Sequence, residues 1–403
     1  MVVGQFSQDF EILVIGGGPA GYAAAFRAAE LGKSVVIVDT DKNLGGRCLR
    51  NACIPTKFAH YNIAKEQSSN TQRMLAEGLQ NKCKSLGIEH IVGNARFESE
   101  KSVQITGDVV SVVRFRKAII ATGTDARTKK CEKCIQVEEI YNNWSPTGKT
   151  LIVGNNADAI EAATYLQKYD VTLLAKNELL PTFDSELVKQ IIRPLSQEIH
   201  IVNELQEQNP FCHIILADYR PPLLQPLQLD NANVEHTEQG ILTNNSGQTS
   251  NSKIYAAGEC TGCEHNASLA IIQGRVAAEN ACGIKTEIDT YFAPQSIWSN
   301  PELAQCGVLD AGQSVSVKWG NSGIAVAMDQ QNGITKIAFD PETEAILGVG
   351  IVGIDAIELV SAGILALEMG ASLYDLANTA YPHPTKSELL SEAARIAIDS
   401  KTN

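Results

Sequence analysis

The chain has 403 residues, 44% of them hydrophobic and 20% charged, with a formal net charge of −13. That length buries two or three cores of ordinary domain size, and the acidic balance disfavours a nucleic-acid binder, which carries a basic face. The most apolar region, Ala345 to Gly370, is interrupted by Asp355, Glu358 and Glu368, so no membrane span is expected. The opening residues lack the basic and then apolar pattern of an export signal, which predicts a reducing, cytoplasmic setting. Ten cysteines there are expected to be mostly buried thiols, and a working disulfide to be catalytic before it is structural.

The first element, EILVIGGGPAGYAAAFRAAELGKSVVIVD, runs from Glu11 to Asp39. An apolar strand leads into a turn at Gly16, Gly18 and Gly21, an alanine-rich helix follows, and a second strand, SVVIV, ends on Asp39. Glycines at that spacing permit a tight turn and close backbone approach, with Pro19 and Ala20 completing the loop. The helix N-terminus then offers N–H groups to a pyrophosphate, and the acid meets a ribose hydroxyl. A dinucleotide site is expected here.

The stretch GGRCLRNACIPTKF, residues 45 to 58, follows directly. Metal sites favour closer pairs with two further ligands, so Cys48 and Cys53 fit metal poorly. Five positions on a regular helix rotate a side chain by about 140°, so a bond between the two needs a distorted first turn and is easily reduced. Arg47, Arg50, Lys57 and the helix N-terminus favour a thiolate. This pattern suits a disulfide that cycles more than two packed thiols.

From Lys149 to Lys176 the chain repeats strand, turn, helix and strand. The helix DSELVKQIIRPLSQ and the short strand IHIV come next. From residue 289 onward, GIAVAMDQ, ITKIAFD and ILGVGIVG are expected as strands, with AIELVSAGILALEMG and SELLSEAARIAID as helices. Two CxxC pairs, Cys131/Cys134 and Cys260/Cys263, are expected as unpaired thiols ahead of an accessory disulfide or a zinc site. Cys83, Cys212, Cys282 and Cys306 are expected in packing roles. In YPHPTKSELLSEAAR, His383 taken alone reads as a surface histidine between prolines; beside the cysteine pair it offers the residue type that thiol–disulfide exchange uses to take and return a proton, and Glu388 a carboxylate to orient it.

These stretches together resemble the pyridine nucleotide-disulfide oxidoreductases, which include dihydrolipoamide dehydrogenase, glutathione reductase and mercuric reductase. Their signature GGxCxxxGCIPSK is present as GGRCLRNACIPTK, with Ala52 for the usual glycine and Thr56 for serine. The resemblance extends to KAIIATGTDAR, KIYAAGECTG, WSNPELAQCGV and YPHPTKSELLSEAAR, and so covers essentially the whole chain in order. It implies an FAD enzyme in which Cys53 lies against the flavin as the charge-transfer thiolate and Cys48 meets the substrate disulfide. Gly46 and Arg47 belong to the same FAD-side loop. Lys57 is implied near the flavin, paired with Glu161. Thr122 and Gly123 match a second FAD contact, and Gly258 and Glu259 match a late Gly-Asp pair on the ribityl chain, with Glu for Asp. His383 and Glu388 match the acid–base dyad, which in this family reaches the disulfide from the partner subunit of a homodimer.

The implied fold is α/β, with two Rossmann-like nucleotide-binding domains, the second one reduced, and an α+β interface domain for dimerisation. Residues 1–148 and 253–288 are expected to form the FAD domain, 149–252 the reduced NAD(P)-type domain and 289–403 the interface domain. The second nucleotide fingerprint is damaged. Gly154 is kept, but Asn156 and Ala159 hold the next glycine positions, and Ala175 with Lys176 stands where an acid is expected. Arg220 matches a late arginine of the family, with Tyr219 before it in place of glycine. The losses predict a donor other than nicotinamide, as in the diflavin-linked branch, where a second flavin fills that region and ferredoxin is the suspected donor. An acidic ferredoxin needs a basic patch, for which Arg127, Lys129, Lys130 and Lys133 are candidates. A short NAD(P)H-dependent dihydrolipoamide dehydrogenase and a flavin-bearing sensor without turnover are the alternatives. A disulfide or dithiol is the expected substrate, and no metal is expected.

Overall fold

A computed structural model describes residues 6–107, 111–125, 131–141, 144–205, 210–218, 220–263 and 266–402. Arg127, Lys129, Lys130 and Tyr219 lie outside the described residues. The chain begins with β1 (Phe6–Ile15), α1 (Pro19–Glu30), β2 (Val35–Asp39), α2 (Gly46–Arg50), α3 (Cys53–His60) and α4 (Lys65–Ser85). Next come β3 (Glu89–Val92), β4 (Asn94–Ser99), β5 (Ser102–Thr106), β6 (Ser111–Ile120) and β7 (Cys134–Gln136). The middle holds β8 (Thr150–Val153), α5 (Ala157–Leu166), β9 (Val171–Leu174), α6 (Ser185–Glu198), β10 (His200–Val202) and β11 (His213–Leu216). After them follow β12 (His236–Thr237), β13 (Gly240–Ile241), β14 (Ile254–Ala256), α7 (Ala267–Ala281), β15 (Gln295–Ile297) and β16 (Glu302–Gly307). The chain closes with β17 (Gln313–Lys318), α8 (Gly323–Ala327), β18 (Ile334–Phe339), β19 (Ile346–Gly353), α9 (Ala356–Glu368), α10 (Leu373–Asn378) and α11 (Glu388–Thr402).

The first compact unit comprises the described residues within 1–128, 141–143 and 220–289. Its sheet runs β3-β2-β1-β6-β5-β4, with β14 also on β6. Pairing of β1 with β2 and β6, and of β14 with β6, is parallel, whereas β4 and β5 run antiparallel. Strands covered on both faces read as unbroken apolar runs, and Val35 to Val38 are all buried accordingly. Gly274 of α7 lets that helix approach the backbone of Ala20 in α1.

The second unit comprises the described residues within 129–140, 144–219 and 290–403. It contains an all-parallel sheet, β10-β9-β8-β11-β7, and an antiparallel one, β15-β16-β19-β18-β17. Two Rossmann-like sheets and a separate antiparallel sheet are thus present, as the motifs imply.

The domain boundaries differ from expectation. Residues 220–252 pack with the first unit and not with 149–219, because Leu224, Leu227, Leu229, Ala232, Val234 and Ile241 share one core with Leu13, Val36, Phe97 and Ile120. The reduced nucleotide-type sheet and the interface sheet form one unit. Leu187 of α6 packs beside Gly350 of β19, and Lys336 of β18 reaches Asp184, the N-cap of α6, at 2.8 Å and Glu186 at 3.2 Å. GIAVAMDQ is also not a strand. Its first residues form α8, with Ala325 buried, while the alternating QSVSVK takes the edge as β17 with Val317 inward.

Candidate active site

The dinucleotide loop is built as its glycines require. Gly16 has φ +106°, and a Cβ there would meet the Ala121 carbonyl, while one at Gly21 would meet the carbonyl of Gly16 itself. Helix α1 starts at Pro19 after Gly18, which has no side chain to cap the helix, so its first N–H groups are left for a ligand. Asp39, at the end of β2, accepts the Gly17 N–H on one carboxylate oxygen and the Asp41 N–H at 2.8 Å on the other. Gly46 packs against Gly18, and the Gly45 N–H donates to the Gly17 carbonyl at 2.8 Å. An uncapped helix N-terminus beside a fixed carboxylate fits the pyrophosphate and ribose of FAD.

Cys48 and Cys53 do not share one distorted helix. The chain leaves α2 at Asn51 and re-enters a helix at Cys53, with Ala52 at φ −111° and ψ −95° and its N–H on the Arg47 carbonyl. This break turns the two sulfurs toward each other. Both are thiols in this structure, and Cys48 donates a hydrogen bond to Cys53. The consequence is asymmetric. That hydrogen bond holds the Cys53 thiol below its ordinary pKa against the opposing effect of burial, with further help from Lys57, its own backbone N–H and Arg47. Cys48 is pushed far up, first by the same bond and then by burial, the Cys53 charge and Glu259. The pair therefore ionises at Cys53 first. Lys57 lies one helical turn after Cys53 and donates to Thr56 Oγ1 at 3.1 Å. Tyr22 of α1 stands near both sulfurs, and burial followed by their charges raises its phenol pKa.

Two loops of the same unit meet beside this pair. Thr122 Oγ1 donates to the Leu223 carbonyl at 2.9 Å, and Gly123 takes φ +68°. Thr124 Oγ1 donates to Glu259 at 2.8 Å, which joins that loop to Gly258 and Glu259. Sequence reasoning missed Thr124, although it stands inside the motif ATGTDAR. Next to Glu259, Cys260 is fully buried and burial pushes its thiol up to about 12, while Cys263 is half-buried and raised for the same reason. These two are unpaired thiols, as expected. Cys131 and Cys134 are not, because they are joined by a disulfide. Cys212 is exposed, against its expected packing role, and Cys282 is half-buried, whereas Cys83 and Cys306 are buried. Among the described residues no group of three or more His, Cys, Asp or Glu side chains could hold a metal ion, and no helix is long and apolar enough to cross a membrane.

The second unit carries His383 and Glu388. His383 Nδ1 and Glu388 Oε1 are 2.9 Å apart, and Glu388 Oε2 accepts the Thr385 N–H at 2.8 Å. The histidine first, and then that N–H, lower the Glu388 pKa. With Nδ1 turned to the carboxylate, Nε2 is the atom free for chemistry, and the imidazole is 81% exposed. Lys386, which sequence reasoning passed over, anchors this loop. Its Nζ reaches Asp355 at 2.6 Å, the Ile354 carbonyl at 3.1 Å and Gln330 at 3.2 Å, and lies 5.6 Å from the Trp319 ring centroid.

The second nucleotide loop contrasts with the first. Gly154 has φ +157° and is needed, since a Cβ would meet the Ala217 carbonyl. Asn156, however, caps α5, with Oδ1 accepting the Ala159 N–H at 3.0 Å. Asn155 donates to the Glu178 carbonyl at 2.8 Å and accepts the Leu180 N–H at 2.7 Å, so the loop is closed by its own groups. Ala175 is buried and Lys176 exposed. Glu161 accepts the Trp298 N–H at 3.0 Å, and Lys57, its implied partner, belongs to the first unit. Arg220 is buried, in the first unit.

A parallel sheet with an FAD-type loop, an adjacent cysteine couple and an antiparallel domain carrying a His–Glu pair define a flavoprotein disulfide oxidoreductase. Comparison with known proteins agrees. Residues 10–207 match the model of the pyridine nucleotide-disulphide oxidoreductases, and residues 293–394 that of their dimerisation domain. Dihydrolipoyl dehydrogenase of Thermus scotoductus is 30% identical over 96% of this chain and 97% of that protein. The Haloferax volcanii enzyme of the same name is 28% identical over 99% of this chain and 98% of its own, in an alignment of 477 positions that this shorter chain crosses with gaps. Among solved structures, the HOCl-induced flavoprotein disulfide reductase RclA from Escherichia coli superposes with a TM-score of 0.87 over 96% of this chain and 99% of that one, at 20% identity. The chain belongs to the pyridine nucleotide-disulphide oxidoreductase family, whose members bind FAD and act on sulfur groups.

Proposed function

We propose that this protein carries electrons from a donor other than nicotinamide, through FAD, to the Cys48–Cys53 couple and on to an external disulfide, in a thiol-reducing cytoplasm. FAD, when bound, exchanges two electrons with the couple. The chain's own residues do the rest. With both cysteines reduced, His383 Nε2 takes the Cys48 proton as Cys48 Sγ attacks the external disulfide; the Cys48 mixed disulfide forms, and the departing thiolate takes that proton back from His383. Cys53, already the thiolate of the pair, then attacks Cys48 Sγ, releases the second sulfur as a thiolate that is protonated from water, and closes the Cys48–Cys53 bond. Glu388 orients His383 and stabilises its protonated form. Because His383 belongs to the second unit and carries the family's dimerisation domain with it, the reading assigns it to the couple of the partner in a homodimer.

The observation that carries the donor assignment is the contrast between the two helix N-termini. Gly18 leaves α1 open, whereas Asn156 fills the first turn of α5 with its own oxygen. A pyrophosphate at α5 must compete with that oxygen for the same N–H groups. A second FAD there meets the same obstacle as NADH or NADPH, which favours a protein donor such as ferredoxin. The retained Gly154 and the dihydrolipoyl dehydrogenase relatives favour the second reading, an NAD(P)H-linked dehydrogenase of dihydrolipoamide type. Anaerobic mixing of the flavin-loaded protein with NADH, NADPH or reduced ferredoxin separates the two. Fast bleaching by ferredoxin alone is expected, and stoichiometric bleaching by either nicotinamide would overturn the donor assignment.

A further inference from the structure

Outside the site described above, one cysteine pair is covalently joined. Cys131 and Cys134 form a disulfide across a tight turn in which the Cys134 N–H donates to the Cys131 carbonyl at 2.9 Å. Cys131 is exposed, and Cys134, the first residue of β7, is half-buried. The turn is also held from outside the bond. The Ile214 N–H donates to the Lys133 carbonyl at 2.8 Å, and Lys133 Nζ donates to the Phe211 carbonyl at 3.2 Å. β7 is the edge strand of its sheet, next to β11.

Two features separate this pair from the chain's buried thiols and from a structural staple. Cys83, Cys260 and Cys306 are buried, and burial pushes them up to about 11, about 12 and about 12, which suppresses their thiolates. A bond between residues three apart closes a very short loop, so it removes little chain entropy. Hydrogen bonds to Ile214 and Phe211 hold the same turn without it. An exposed disulfide that stabilises little is open to exchange.

We propose that Cys131–Cys134 is a second thiol–disulfide exchange site, independent of Cys48–Cys53, that reacts with low-molecular-weight thiols and dithiols from solution. An external thiolate attacks the exposed Cys131 Sγ, the sulfur–sulfur bond breaks, and Cys134 leaves as a thiolate that takes a proton from water. The second sulfur of a dithiol reagent then attacks the mixed disulfide at the reagent's own sulfur and releases Cys131 as a thiol. One dithiol is oxidised to its disulfide, the pair is reduced to two thiols, and two electrons and two protons are exchanged. An external disulfide reverses the step. Because the hydrogen bonds of the turn survive loss of the covalent bond, the thiols stay side by side. Ring closure is then intramolecular, and a mixed disulfide at Cys131 does not accumulate.

The test uses the flavin-loaded Cys48→Ser/Cys53→Ser variant, in which the flavin-linked couple is gone and its failure or success has no bearing on the outcome. The protein is equilibrated with oxidised or reduced dithiothreitol under native conditions, alkylated and mapped by mass spectrometry. Cys131 and Cys134 are expected to be protected in the oxidised buffer and both alkylated in the reduced one, with the flavin spectrum unchanged. Adding Cys134→Ser should let glutathione disulfide trap a mixed disulfide on Cys131, which the parent variant does not hold. Protection that persists in a large native excess of dithiothreitol, or alkylation of both residues after treatment with glutathione disulfide, would overturn the proposal.

Discussion

Replacing Cys48 with alanine removes the donor that holds the Cys53 thiol below its ordinary pKa. That hydrogen bond is the largest of the effects on Cys53, ahead of Lys57, the backbone N–H and Arg47, all of which remain in the variant. A hydrogen bond to an ionised group contributes about 1.5–3 kcal/mol, and a thiol is a weak donor, which favours the lower end. At about 1.4 kcal/mol for each pKa unit, the Cys53 midpoint should rise by roughly one to two units. The sign follows from the surroundings left behind, because burial opposes the charge and one fewer group offsets it. Alkylation of Cys53 by iodoacetamide in anaerobically reduced, flavin-loaded protein, followed against pH with mapping by mass spectrometry, reads the midpoint directly. Cys48→Ser keeps a donor and should keep the low value. A midpoint that is unchanged or lower in Cys48→Ala would refute the asymmetry of the pair.

Three further outcomes are expected. Asn156→Gly frees the Ala159 N–H at a cost of a few tenths of a kcal/mol, so the protein should stay folded and be reduced faster by NADH or NADPH than the parent; an unchanged rate would mean that the cap is not what closes the loop. Lys336→Met breaks a pair whose side chains are 9% and 7% exposed. Loss of one partner of a buried pair costs about 3–5 kcal/mol, but Asp184 still accepts two backbone N–H groups, so about 2–3 kcal/mol is expected in urea unfolding, and a loss near zero would contradict the pinning of α6 to the interface sheet. Lys386→Met should lower kcat for disulfide reduction by about 10- to 100-fold and shift its pH profile, as a small displacement of His383 does, while flavin content holds. A fall in melting temperature with an unaltered pH profile would make Lys386 merely structural.

The parts of this site legible in the sequence are those where one backbone requirement selects one residue type. Gly16 and Gly21 are needed because a Cβ would strike a carbonyl, and such positions show as glycines. Asp39, Cys48, Cys53, His383 and Glu388 are fixed by local spacing along a strand end, a helix break or a tight loop. What escaped depends on long-range packing. Residues 220–252 lie in the chain between the helix of the second nucleotide-type sheet and the returning strand β14, so chain order assigns them to that domain, whereas Leu224, Leu227 and Leu229 fill the first unit's core. The Cys131–Cys134 bond is set by a turn that pairs with Ile214, far along the chain, and CxxC spacing alone does not show it. GIAVAMDQ has strand-like residues, yet the alternation in QSVSVK is what matches the pleat beside β18. Lys386 and Thr124 were hidden in plain motifs, because their partners, Asp355 and Glu259, come from other segments.

Counting electrons tests the central claim most directly. In an anaerobic dithionite titration of oxidised, flavin-loaded Cys131→Ser/Cys134→Ser protein, in which the other disulfide is gone, uptake of two electron equivalents beyond those of the flavin is expected, with the surplus lost when Cys48→Ser is added. No surplus in that background, or a surplus that survives the added Cys48→Ser, would contradict a flavin-linked Cys48–Cys53 couple.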